Sequence, residues 1–72
     1  MKYEVWSEGY RATGEYATAE FLGIYEANSF LEACQKAVNN HSDYINYYDS
    51  KTNSIWGCKL FDNEKDARKN FG

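Results

Sequence analysis

The chain has 72 residues, a net charge of -3 and 26% charged residues. That length supports one domain, spanning residues 1–72, and no apolar run approaches the roughly 18 residues that a membrane span needs. Aromatic residues at 18% exclude a disordered chain, and the acidic balance argues against non-specific binding to phosphate backbones.

Residues 2–8 alternate as a strand, with Tyr3, Val5 and Ser7 on one side and Lys2, Glu4, Trp6 and Glu8 on the other. Gly9 and Gly14 bracket a polar loop. Residues 17–26 alternate again, placing Ala19, Phe21, Gly23 and Tyr25 opposite Glu20, Leu22, Ile24 and Glu26. Ser29 and Glu32 then form a capping-box pattern, which predicts a helix from about Phe30 to Val38. Its apolar stripe is Phe30, Cys34, Ala37 and Val38, and Asn39-Asn40 can end it. Residues 44–49 are rich in strand formers, Ser50–Asn53 suits a hairpin turn, and residues 54–61 return as a fourth strand. Lys59 marks the solvent side of that strand, which turns Trp56, Cys58 and Leu60 inward. Asp62 or Asn63 caps a short terminal helix.

The predicted fold is α+β, in the order β-β-α-β-β-α. A four-stranded antiparallel sheet carries one main helix on one face, with a short C-terminal helix. The inward strand residues are Tyr3, Val5, Ala19, Phe21, Tyr25, Ile45, Tyr47, Trp56, Cys58 and Leu60. The second face then carries Trp6, Leu22, Ile24, Tyr44, Tyr48, Ile55 and Phe61. A solvated sheet face should be mostly polar, and this one is not. Three readings are open: the terminal helix folds over it; it meets a protein partner, in the simplest case a second copy in a homodimer, or otherwise as a small subunit of a larger complex; or a shift of register swaps the faces of one strand.

Catalytic and metal chemistry find little support. Cys34 and Cys58 lack Cys-x-x-Cys spacing and read as reduced, buried thiols. Two cysteines and His41 fall short of a zinc set. His41 lies in a polar turn, and Asp43 and Asp49 show no acid–base pairing. The Gly9–Glu15 loop leads into a strand, whereas phosphate-cradling loops lead into a helix; its single cation, Arg11, is a possible contact residue. The expectation is no catalytic residue, cofactor or metal, with an enzyme or ligand-binding protein using that loop with Arg11, Cys58 or His41 as the alternative. Nucleic-acid binding would rest on Lys65, Arg68 and Lys69 and is not expected, because the aromatic side chains are flanked mostly by Glu. No apolar signal segment opens the chain, so a cytoplasmic location is expected.

The segments Trp6-Ser7-Glu8-Gly9-Tyr10, Thr13-Gly14-Glu15, Ala27–Cys34 and Trp56–Glu64 together resemble a family of short, uncharacterised proteins of bacteria and their mobile elements, bacterial or phage in origin. That resemblance covers nearly the whole chain and implies no activity. The pattern of Tyr3–Trp6, Ala27–Ala33 and Ile55-Trp56 is also similar to the phenylacetate-degradation B subunit and to the antitoxin of HicAB systems. Both are non-catalytic partners of other proteins, which implies a similar role. The antitoxin's aromatic-flanked Pro-Gly-Cys segment is missing here, and no functional residue carries over from either.

Overall fold

The strand at the N-terminus organises the molecule. In the computed structural model, which describes residues 1–72, β1 (Lys2–Ser7) pairs along its whole length with β4 (Glu20–Glu26) and, through Trp6 and Ser7, with β7 (Cys58–Phe61). Two short strands, β5 (Tyr48–Asp49) and β6 (Ser54–Ile55), extend the antiparallel sheet to five strands in the order β4-β1-β7-β6-β5. The loop between β1 and β4 folds into its own two-stranded arm, β2 (Tyr10–Ala12) and β3 (Glu15–Ala17). The mixed α+β class holds. The strand count does not, because the predicted strand 54–61 is split into β6 and β7 and the predicted loop after Gly9 pairs as the β2–β3 arm.

Gly9 is where the arm leaves the sheet. A Cβ at this position would stand 2.2 Å from the Ala17 carbonyl oxygen, so the two backbones can cross only with glycine there. The helix α1 (Phe30–Asn40) begins as expected: Ser29 Oγ accepts the Glu32 amide at 3.2 Å. Only half of the capping box forms, since Glu32 turns instead to Lys36, 3.7 Å away. Ala33, Cys34, Ala37 and Val38 of α1 pack on Val5, Leu22, Ile55 and Leu60 to make the core. The second helix, α2 (Glu64–Ala67), is capped by Asn63, whose side chain accepts the Asp66 amide at 2.8 Å.

The alternation of β4 is interrupted. Val5 lies opposite Gly23 but Trp6 opposite Phe21, so Leu22 is an extra residue in a β-bulge. Gly23 carries a φ of 124° that a side-chain-bearing residue rarely adopts. The bulge turns Leu22 into the core, where it is 3% exposed, and leaves Phe21 on the outer face beside Trp6, with ring centroids 4.9 Å apart. The predicted assignments of Leu22 (outward) and Phe21 (inward) are therefore both reversed. The bulge also strips the Leu22 carbonyl of a ladder partner. Tyr25 Oη donates to it at 2.9 Å, and His41 Nε2 lies 3.3 Å away.

Two further corrections come from the C-terminal half. Residues 45–47 form a 3₁₀ turn rather than a strand, and only Tyr48 and Asp49 pair. The link from α1 back to the sheet is short, and the carbonyls of His41 and Tyr44 take the amides of Tyr44 and Tyr47. Ile45 and Tyr47, predicted inward, are exposed as a result. The predicted strand 54–61 is a hairpin whose turn is Trp56-Gly57, with φ values of 53° and 78°, as in a type I′ turn. That turn resets the phase. Ile55, predicted outward, is 2% exposed in the core, while Trp56, predicted inward, is 58% exposed.

Candidate aromatic cleft

Of the seven residues predicted to share one aromatic face, the fold keeps only part of the set together. Trp6, Ile24 and Phe61 stand on the side of the sheet away from α1, with Trp6 paired directly to Phe61. Trp6 is half-buried: its Nε1 donates to Glu4 Oε1 at 2.9 Å, and the Arg68 guanidinium lies 5.7 Å from its ring. Thus α2 covers part of this face, and Ile24, 59% exposed, is left at its margin. Leu22 and Ile55 belong to the core, and Tyr48 packs against it. Tyr44 also touches the core but lines a cleft together with Ser7, Glu8 and Glu20.

That cleft lies between the β2–β3 arm and the Trp56-Gly57 turn and has a volume of about 250 Å³. Tyr10, Tyr44 and Trp56 supply its aromatic walls, and Glu8, Glu20 and Cys58 its charged and thiol groups. A more open depression shares Tyr10, Trp56 and Cys58 with it and is completed by Arg11, Ala12 and Glu15. Arg11 thus reaches the neighbourhood of Cys58, as the ligand-binding alternative required, although its guanidinium sits over Tyr16, 5.4 Å from the ring. His41 does not line the cleft; it stacks on Tyr44 at 5.4 Å and lines a neighbouring concavity with Asn40, Ser42, Asp43 and Tyr44 itself.

Trp56 is positioned from several directions. Its amide donates to the Tyr47 carbonyl at 3.3 Å, and its ring packs on Tyr47 and Tyr44 with centroids 4.7 and 5.5 Å away. A bulky residue at positive φ is disfavoured, by about 1–2 kcal/mol for a left-handed conformation. Strain of this kind concentrates at functional positions. The Trp-Gly dipeptide between two apolar strands was the available sequence signal, but it lacks the Asn or Asp that usually announces such a turn.

Glu8 closes the base of the cleft. Its amide donates to the Lys59 carbonyl at 2.9 Å, and its Oε1 accepts the Lys59 amide at 3.1 Å, so one side chain continues the β1–β7 ladder by a step. The residue is 8% exposed. Glu20 accepts the Tyr44 hydroxyl at 2.5 Å, and this bond, followed by burial, pushes the Tyr44 phenol up to about 12. Alternation put Glu8 and Glu20 on the outer face; nothing in the sequence brought them together.

The thiols are held in their neutral form. Burial pushes Cys58 up, with the nearby Glu8 charge adding to the effect, and burial likewise raises Cys34. A nucleophilic thiol needs the opposite shift. Cys34 is built into the core, where it accepts Asn53 Nδ2 at 3.4 Å while Asn53 Oδ1 accepts the Tyr48 hydroxyl. No group of His, Cys, Asp and Glu is arranged to hold a metal, and no helix is long and apolar enough to cross a membrane. Of the three cations considered for nucleic acid, Arg68 is committed to Glu64, to the Gly72 carbonyl and to the Trp6 ring.

Comparison of the chain with protein-family models, curated proteins and solved structures finds no match. The geometry of the cleft and of the exposed rings therefore carries the functional argument.

Proposed function

We propose that the protein is a small non-catalytic interaction module that grips a protein partner with its aromatic end. The contact surface is Trp56 and Tyr47, with Tyr44 and Tyr10 at the mouth of the cleft behind them. The observation that carries this is the display of Trp56: a large ring, mostly exposed, held in a disfavoured backbone conformation and braced by two tyrosines. Tryptophan and tyrosine are the residues most enriched at the energetic centres of interfaces. The raised thiols and a cleft lining that does not include His41 favour binding over catalysis. Affinity capture from the native host tests the proposal. The parent chain and Ile24→Ala should retain a specific partner that Trp56→Ala and Tyr47→Ala lose, whereas equal capture by all four rejects it.

A second reading, self-association through the outer sheet face, is favoured by Phe21 and Ile24, which stand exposed there near Trp6. Sedimentation at high concentration distinguishes it: a dimer disrupted by Ile24→Glu supports this surface, and a monomer removes it.

A further inference from the structure

The two carboxylates of the cleft point to the chemistry of its occupant. Glu8 is nearly buried; its Oε1 accepts the Lys59 amide, and its other oxygen, which has no protein partner, is open to solvent in the cleft. Glu20 accepts the Tyr44 hydroxyl through Oε1 and likewise has a free second oxygen. Neither carboxylate is in an ion pair, since the three ion pairs of the molecule lie at Met1–Glu26, Lys36–Glu32 and Arg68–Glu64. Around these two groups stand Tyr10, Tyr44 and Trp56, aromatic rings whose negative faces attract cations. At about 250 Å³ the cleft has room for one long side chain.

We infer that the cleft receives a basic side chain, lysine or arginine, projected from the partner protein. The inference rests on the interaction-module reading and names the chemistry of its central contact. The cation sits between Glu8 and Glu20, with its aliphatic stem along Tyr44 and Trp56. A second copy of this chain is a poorer source, because two chains that each carry a net charge of -3 repel one another.

The test is a titration followed by nuclear magnetic resonance, with n-butylguanidinium, N-acetyl-lysine methylamide and, as neutral control, 1-butanol. Both cations should saturably shift the Trp56 indole N–H and the Lys59 amide, and 1-butanol should not. The Trp6 indole reports from the opposite sheet face and should stay in place. Glu8→Gln keeps the hydrogen bond to the Lys59 amide but removes the charge, and should weaken cation binding at least about tenfold. Glu20→Gln, at an exposed position and with an amide oxygen that can still accept the Tyr44 hydroxyl, should weaken it as well. Equal shifts with 1-butanol, a Trp6 response matching that of Trp56, or unchanged affinity in Glu20→Gln each overturns the inference.

A Gly/Ser decapeptide with one central arginine should bind more tightly than butylguanidinium. Binding no tighter than the free cation overturns the partner-protein assignment in favour of free amines. Salt-sensitive self-association of the parent chain without peptide binding overturns it in favour of a second copy. Partner capture lost in Trp56→Ala but retained in Glu20→Gln would sink the cation inference alone. Capture retained in both would sink the interaction module itself.

Discussion

Tyr44 donates its phenolic hydrogen to Glu20 Oε1 at 2.5 Å, tying the turn after α1 to the first residue of β4 across 24 positions of sequence. The same bond fixes one wall of the cleft and orients one of its two carboxylates.

This bond gives the molecule a signature at high pH. The Tyr44 phenol is raised from 10.0 to about 12, so the folded state holds its proton more tightly than the unfolded chain does. Its contribution to stability is complete below pH 10 and is lost as pH rises towards 12. Phenolate absorbance should show a component near 12 that is lost in Tyr44→Phe and moves down towards 10 in Glu20→Gln, while Tyr48, which burial also raises, is unaffected by either change. A parent profile identical to that of Tyr44→Phe would refute this.

The bulge at Leu22 makes adjacent apolar positions on one strand behave differently. Leu22→Ala removes a core side chain and should cost roughly 2–5 kcal/mol. Ile24→Ala alters an exposed position and should change stability by about 0.5 kcal/mol or less. Denaturant midpoints of the two variants decide it, and the opposite order would mean that β4 keeps a regular alternation.

Gly9 tolerates no side chain. In Gly9→Ala the new Cβ meets the Ala17 carbonyl, a backbone atom that cannot rotate aside. A destabilisation of about 1–3 kcal/mol is expected, as for overpacking. Amide exchange in the arm from Tyr10 to Ala17 should accelerate more than exchange in α1.

Trp56 separates stability from binding. Trp56→Asn relieves a left-handed conformation that costs about 1–2 kcal/mol. It also gives up two ring contacts, each worth roughly 0.5–1.5 kcal/mol. The terms nearly cancel, so unfolding free energy should move by less than about 1 kcal/mol while partner capture is lost. A large loss of stability would mark Trp56 as a structural residue instead.

Much of the architecture was legible locally. Ser29 capping α1, the Ser50–Asn53 turn and the terminal helix near Asn63 all depend on residues a few positions apart. The helix core positions Cys34, Ala37 and Val38 follow from a 3.6-residue period that nothing interrupts. Strand faces were less secure, because a period of two fails completely after a single inserted residue. One bulge reversed Phe21 and Leu22, and one turn reversed Ile55 and Trp56. Residues 44–47 had strand-forming side chains but too little chain between α1 and β5 to use them.

By itself, then, the sequence determined the α+β class, the capped central helix, half of the core and an aromatic content too high to hide in so small an interior. Those features arise from near-neighbour hydrogen bonding and local periodicity, which any short window of residues expresses. Only the tertiary structure decided which rings stay exposed and that Glu8, Glu20, Tyr10, Tyr44 and Trp56 converge on one cleft. Convergence depends on strand register, on the crossing of two backbones at Gly9 and on a strained two-residue turn, and each of these is settled by packing between segments far apart in the chain.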